Sequence, residues 1–183
     1  MVGATIFLGY RAKQPWRPNA TWDPDGVTGV VEVCSASDCM SEPPPEPQWS
    51  FNRAGCYTDC ADVIAFIPPA ERSAYAVFAY WLVLGTTDPT QAFDARLPPL
   101  PGAAGPEDYD VLGYDVVEID ASTRPVFGHS PLSCNYLARE IRVNRYCLVD
   151  DEYEAARLVE QFNREQPEPG TYYAVRIARK RPS

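Results

Sequence analysis

The alternation of apolar and polar positions predicts a protein built mainly from β-strands. Apolar or alternating runs of strand length predict strands at residues 3–11, 27–33, 75–84, 111–120 and 172–177. The run at 75–84 is apolar almost throughout, which is typical of a buried strand. It is also the longest apolar run in the chain, and it is too short to cross a membrane as a helix.

The residues that follow Asp150 predict a long amphipathic helix at 151–165. Its apolar positions recur at helical spacing and form one face, made of Ala155, Leu158, Val159 and Phe162. Asp150 or Asp151 can cap the start, where acidic side chains also favour the positive end of the helix dipole. Two prolines and Gly170 end the helix. We expect its apolar face to pack on the sheet.

A short internal repeat predicts that the chain has two similar halves. Residues 52–59 and 144–150 each contain Asn-Arg and a cysteine. Each copy precedes a helical stretch and then a strand that opens Tyr-Ala-Val. The repeat places Cys56 and Cys147 at matching positions, which favours a core role for both thiols.

The order of these elements predicts an α+β fold with a mixed, mostly antiparallel sheet and few helices. We expect one domain over residues 1–183, since this length can bury a sizeable core. Within it, the two strand–helix–strand halves cover about residues 1–97 and 107–183. A proline-rich connection at 98–106 joins them.

The charge of the chain favours a protein partner and argues against nucleic acid. The net charge is −9, whereas binding to a phosphate backbone needs clustered cations. A negative field attracts basic partners and speeds their association. The expected partner-binding residues are three acids and three tryptophans: Asp108, Asp110, Glu118, Trp16, Trp22 and Trp49. For the whole acidic stretch from Glu107 to Asp120, which includes Asp115, a solvated face is the first interpretation and a docking surface for a basic partner the second.

The six cysteines are expected to be reduced and free of metal, with no cofactor. The first residues lead into a strand and lack the features of a signal peptide, which predicts a cytoplasmic protein without disulfides. The alternative is a zinc site that uses Cys34, Cys39, Cys56 and Cys60. The spacings within the two pairs, four and three residues, depart from the usual spacing of two.

The segment at 127–135 contains the only histidine together with a thiol, two hydroxyls and an amide. It predicts a structured turn or, as the alternative, a thiol-dependent enzyme. In that alternative Cys134 is the nucleophile, His129 the base and Asn135 the residue that orients the base. A nucleophile and a base from one loop rarely align, because known cysteine–histidine enzymes bring them from distant positions.

Four segments of the second half carry a resemblance to known proteins. They are residues 112–117 (LGYDVV), 130–135 (SPLSCN), 143–150 (VNRYCLVD) and 168–175 (EPGTYYAV). These segments resemble a group of uncharacterised small bacterial proteins, and residues 51–80 resemble it more loosely. The resemblance implies a small cytosolic protein and no particular activity. By analogy with other small acidic proteins, we expect an immunity-type protein that binds a basic toxin.

Overall fold

In the part of the chain that the structure describes, five strands form one sheet. The structure is a computed structural model, and it describes residues 5–18, 29–37, 39, 55–83, 108–120, 126–134, 137–165 and 170–181. The strands are β1 (Thr5–Lys13), β2 (Ala76–Val83), β3 (Tyr109–Asp120), β4 (Val126–Phe127) and β5 (Thr171–Lys180). Their order is β1-β2-β5-β3-β4, and all neighbouring pairs are antiparallel. The predicted α+β class with a mostly antiparallel sheet is confirmed.

Three helices accompany the sheet within these described ranges. They are α1 (Cys60–Phe66), α2 (Pro131–Cys134) and α3 (Glu152–Glu165), and short 3-10 turns lie at Arg72–Ala74 and Leu137–Arg139. None of the described helices has the length and apolar character needed to cross a membrane.

The strand predicted at 27–33 is wrong in its described part, residues 29–33. Only Val33 pairs there, in an isolated antiparallel bridge with Trp16. The backbone N–H groups of Val31 and Glu32 both donate to the carbonyl oxygen of Arg145, at 2.9 Å and 3.2 Å. Two donors that share one acceptor cannot form the regular ladder of a strand.

Helix α3 forms where the sequence predicts it, because its start and its apolar face are both satisfied. The Asp151 carboxylate accepts a 2.8 Å hydrogen bond from the backbone N–H of Glu154 and caps the helix. The four predicted apolar positions, Ala155, Leu158, Val159 and Phe162, are buried. They share one core cluster with Val116 of β3 and Ala174 of β5, so α3 covers one face of the sheet.

Residues of β5 alternate between the two faces of the sheet, as their pattern predicts. Tyr172 and Ala174 belong to the cluster with α3, whereas Val175 and Ile177 belong to a second cluster. The second cluster also contains buried residues of the segment at 33–37. This segment, called here the serine segment, therefore covers the face opposite α3.

The sheet contains a matching pair of β-bulges, one in each half of the chain. The strand register shifts before Gly9 in β1 and before Gly113 in β3, and both glycines have positive φ angles, 128° and 142°. The next residue forms an isolated bridge to the segment before a helix: Tyr10 to Tyr57 and Tyr114 to Val149. A Cβ atom added at Gly9 would lie 2.3 Å from a backbone carbonyl oxygen, and one added at Gly113 would lie 2.7 Å from another. Only glycine, which has no Cβ, fits at these two positions.

When the two halves are aligned by these bridges, the alignment differs by one residue from the one predicted from the sequence repeat. With the bridges matched, Gly55 (φ 68°) corresponds to Cys147 (φ 61°), and Cys56 corresponds to Leu148. The predicted match of Cys56 with Cys147 is therefore wrong, and the Tyr-Ala-Val strand openings are also one residue out of register. The connection predicted at 98–106 lies outside the described residues.

Candidate functional site

The serine segment is held on one side by a buried lysine. Lys13, at the end of β1, is 3% exposed. Its ammonium group donates to the carbonyl oxygens of Ser35 (3.2 Å), Ala36 (2.7 Å) and Ser37 (2.7 Å). A buried charge needs such partners, and three carbonyl oxygens match the three donors of an ammonium group.

A buried carboxylate holds the same segment from β3. Asp115 is 0% exposed, and it accepts hydrogen bonds from Ser35 Oγ (2.7 Å), the backbone N–H of Ala36 (2.9 Å) and Ser130 Oγ (2.6 Å). Burial raises the pKa of this carboxyl above its usual value, against the lowering effect of the hydrogen bonds. Because Ser130 belongs to the loop after β4, Asp115 connects that loop to the serine segment.

The loop at 128–134, called here the histidine loop, is anchored to the edge of β3. The backbone N–H of Glu118 donates to the carbonyl oxygen of His129 (2.8 Å), and the carbonyl oxygen of Glu118 accepts from the N–H of Gly128 (2.9 Å). At the other end of the loop, the N–H of Cys134 donates to the carbonyl oxygen of Ser130 (2.7 Å). These bonds set the positions of the imidazole and the thiol.

Two thiols and the imidazole meet where the serine segment approaches the histidine loop. The ligand atoms of Cys39, His129 and Cys134 all lie within 4.8 Å of one another. Cys39 is exposed, and the other two are half-buried. Ser37 Oγ lies 3.4 Å from Cys134 Sγ and accepts a 3.1 Å hydrogen bond from the N–H of Cys39. Among the described residues, this thiol–imidazole group is the one cluster of three potential metal ligands.

The protonation of Cys134 limits what the thiol–imidazole group does on its own. Burial raises the pKa of this thiol, and hydrogen bonds with Ser37 and Ser133 lower it by less. A thiol with a raised pKa holds little thiolate at neutral pH, whereas a catalytic cysteine needs a lowered pKa. Ligation of a soft metal ion and reversible oxidation of the two thiols are the other reactions open to this arrangement.

The structure brings together two of the three residues of the predicted catalytic alternative, Cys134 and His129. Asn135 lies outside the described residues. The third member of the group in the structure is Cys39, which the sequence pattern places with the cysteines of the zinc alternative. No spacing motif signals this grouping, since Cys39 is distant in the sequence and reaches the histidine loop through the contacts of the serine segment and Asp115.

The four thiols of the predicted zinc alternative do not come together, so that set is wrong. The one ligand group among the described residues contains only Cys39 of the four. Cys34 Sγ accepts a 3.0 Å hydrogen bond from Arg179, and burial raises the pKa of Cys34 to about 12. Cys56 is buried in the core, and Cys60 Sγ accepts a 3.2 Å hydrogen bond from the hydroxyl of Tyr109. None of the six cysteines is part of a disulfide.

The three predicted partner-binding acids already have partners within the chain. Asp108 forms an ion pair with Lys180 (3.1 Å), and Asp110 forms one with Arg181 (2.8 Å). The hydrogen bond with Lys180 lowers the pKa of Asp108. Glu118 is half-buried, and its carboxylate accepts a 2.8 Å hydrogen bond from the backbone N–H of the residue before β5. This stretch is therefore less available to a basic partner than its composition indicates.

Of the three tryptophans predicted to bind a partner, the structure describes one. Trp16 is half-buried and packs against the cluster of Val33, Ala138 and Cys147, so it holds its loop on the core. Trp22 and Trp49 lie outside the described residues.

The burial of Asp115 was missed, because the acids around it were expected to be solvated. One signal could have revealed it. Asp115 lies two residues before Val117 and four before Ile119 on β3, and both of these belong to the core cluster that includes the serine segment. Alternation along a strand places all three side chains on the same face.

Together, the fold and the site define an antiparallel α+β protein with two thiols and one imidazole at the meeting point of two loops. Comparisons with protein-family models, with curated proteins and with solved structures found no match. A function for this chain is therefore inferred from its own residues.

Proposed function

We propose that the protein is a non-enzymatic cytoplasmic binding protein of the immunity type, which recognises a basic protein partner such as a toxin. The observation that carries this proposal is Tyr153, whose side chain is 82% exposed on α3. Exposed aromatic rings are enriched among the residues that dominate protein–protein binding energy. A ring exposed to this extent contributes little to the core of its own chain.

The surroundings of Tyr153 support a basic partner. Asp150 and Asp151 are exposed, and neither forms an ion pair within the part of the chain that the structure describes. Asp151 caps α3, and Asp150 accepts a 2.9 Å hydrogen bond from Asn144, so the carboxylates are held in place on the surface. We call Asp150, Asp151 and Tyr153 the acidic helix start; Glu154 is left out because it forms an ion pair with Arg157 at 2.7 Å. Helix α3 is anchored on the sheet by its buried face, so the acidic helix start is presented on a rigid element.

The charge of the whole chain adds to this local field. A net charge of −9 favours encounter with a basic partner and makes the association rate dependent on salt.

A thiol-dependent enzyme is the second candidate, because the reactive atoms of His129 and Cys134 lie within 4.8 Å of each other. The same burial that holds Cys134 in place raises the pKa of its thiol, which reduces its reactivity as a nucleophile. The binding proposal does not require a reactive Cys134 thiol, so we prefer it to the enzyme.

The proposal is tested by photo-crosslinking in the source cell. A photoreactive amino acid replaces Tyr153 at the second residue of α3, and a control carries it at Ala61, the exposed second residue of α1. We expect a discrete crosslinked partner with the label at position 153 and none at position 61. With the label at 153, the added changes Asp150→Asn and Asp151→Asn should reduce the yield severalfold and weaken its salt dependence. Asparagine caps a helix about as well as aspartate, so the fold is retained.

The same labelled chain separates the two candidates. With Cys134→Ser added, crosslinking should be unchanged if the protein acts by binding alone. Equal products from positions 153 and 61, or a yield that is unaffected by salt, would contradict the binding proposal. Retained crosslinking together with lost biological protection in the Cys134→Ser variant would favour the enzyme.

A further inference from the structure

The thiol–imidazole group has the donor set of a metal site with one open position. Zinc binds cysteine sulfur and histidine nitrogen in tetrahedral geometry, and sites with three protein ligands leave the fourth position for water or another ligand. Cys39, His129 and Cys134 supply two sulfur atoms and one nitrogen. We propose that these three residues bind Zn²⁺, with the fourth position open to solvent beside the exposed Cys39.

The distances allow this site with a small closure of the loops. The three ligand atoms lie within 4.8 Å of one another. Tetrahedral Zn–S and Zn–N bonds place ligand atoms about 3.6–3.8 Å apart, so the group closes by at most about 1 Å. Cys39 is exposed, and rotation of its side chain does not disturb packed core.

Two serine hydroxyls lie close enough to the Cys134 thiol to orient it as a metal ligand. Ser37 Oγ lies 3.4 Å from Cys134 Sγ, and Ser133 Oγ lies 3.7 Å from it. Ser37 Oγ also accepts the hydrogen bond from the backbone N–H of Cys39, so one hydroxyl contacts both thiol-bearing residues. Such outer contacts orient ligands and tune their basicity.

The scaffold under the site is built from charged groups in the core. Asp115 joins Ser35 of the serine segment to Ser130 of the histidine loop, with hydrogen bonds of 2.7 Å and 2.6 Å. Lys13 holds the carbonyl oxygens of the serine segment from the other side. The serine segment, to which Cys39 is bound through Ser37, is therefore linked to the histidine loop before any ion binds, which lowers the conformational cost of binding.

Zinc binding also gives the group a role that is separate from partner recognition. An ion would join Cys39, which follows the serine segment, to His129 and Cys134 of the histidine loop. The proposed ligands are Cys39, His129 and Cys134, whereas the acidic helix start lies around the first residues of α3, so the two sites share no residue. The zinc proposal and the binding proposal therefore stand or fall independently.

The test is a titration of the full-length reduced chain with Zn²⁺ in competition with a chromophoric chelator. We expect one equivalent of zinc. Cys39→Ser, His129→Gln and Cys134→Ser should each weaken the affinity at least tenfold, and Ser37→Ala should weaken it by about tenfold. The matched control is Cys60→Ser, which removes a half-buried thiol outside the group. It should bind zinc like the wild type.

A second readout uses Co²⁺ in place of Zn²⁺. Sulfur-to-cobalt charge-transfer absorption should appear in the wild type and in Cys60→Ser. It should decrease in Cys39→Ser, a change at an exposed position that leaves the fold intact. The proposal is overturned if the reduced chain binds no zinc, if the three ligand variants bind it like the wild type, or if Cys60→Ser loses it as well. Isolation of a Cys39–Cys134 disulfide from a chain that binds no zinc when reduced would also overturn it.

Discussion

Asp115 is the residue on which the arrangement of the two loops depends. Its carboxylate accepts hydrogen bonds from Ser35, Ala36 and Ser130 while it is fully buried. Two effects compete there, since burial disfavours the charged form and the three donors favour it. Burial is the larger effect, and the pKa of Asp115 is raised.

The first prediction follows from that shift by linkage. A carboxyl with a raised pKa in the folded state stabilises the fold fully below its unfolded pKa of about 4, and this contribution is lost as the pH rises through the folded pKa. Asp115→Asn is neutral at every pH. The stability advantage of the wild type over Asp115→Asn should therefore shrink as the pH rises above about 4.

Urea unfolding of both proteins at several pH values measures this difference directly. Taking the difference removes the contributions of the other carboxylates, such as Asp108, whose pKa is lowered. An advantage that grows with pH would mean that the three donors outweigh burial and that the carboxylate is stabilised in its charged form.

At the scale of elements, helix α3 shows how one helix serves the core and the surface at once. Phe162 is 1% exposed, and its ring centroid lies 5.8 Å from that of Tyr172 on β5. Tyr153 belongs to the same helix and is 82% exposed. Because side chains in a helix repeat every 3.6 residues, these two rings lie on opposite sides of α3: one packs on the sheet and the other faces solvent.

The second prediction compares these two aromatic residues. Phe162→Ala should lower the free energy of unfolding by about 3–5 kcal/mol, because it removes a buried ring and leaves a cavity. Tyr153→Ala, the control in the same helix, should change it by less than about 0.5 kcal/mol. Chemical denaturation followed by circular dichroism measures both. A cost below about 1 kcal/mol for Phe162→Ala would mean that α3 does not form part of the core.

At the scale of the whole molecule, the fold has an approximate internal two-fold arrangement. The bulges at Gly9 and Gly113 lie on strands that flank the central pair β2–β5. In that central pair Tyr80 faces Ile177, and these two residues are also the partners of the two bulge glycines. The pattern is that of a sheet built from two similar strand–helix–strand units.

The third prediction uses this internal symmetry. Gly9→Ala and Gly113→Ala should both destabilise the protein, because a Cβ at either position overlaps a backbone carbonyl oxygen. Gly29→Ala is the control, since Gly29 also has a positive φ of 96° but a Cβ added there would meet no atom within 4 Å. The control should lose about 1–3 kcal/mol from backbone strain alone.

The two bulge variants should lose at least about 1 kcal/mol more than Gly29→Ala, since overpacking adds to the strain. Thermal and urea unfolding of the three variants provide the comparison. Similar losses at all three positions would show that the close approach to Tyr57 and Val149 is relaxed at little cost.

Elements whose signal is local could be predicted from the order of the amino acids. Side chains alternate every two residues in a strand and recur every three to four in a helix, so short windows identified four of the strands and helix α3. The buried face of α3 was predicted residue by residue for the same reason. The repeat was detected, but its register was wrong by one, since a left-handed residue is glycine in one copy and Cys147 in the other.

The candidate site depends on contacts that form only in the folded chain. Ser35 meets Asp115, and Cys39 meets His129 and Cys134, across large separations in the sequence. No periodic pattern records such contacts, because they arise when the sheet brings β1, β3 and the intervening loops together. The same reason explains why the burial of Asp115 was not predicted: its acidic neighbours in the sequence indicate a solvated side chain. Its place on the inward face of β3, beneath the serine segment, makes it a buried acceptor that connects two loops.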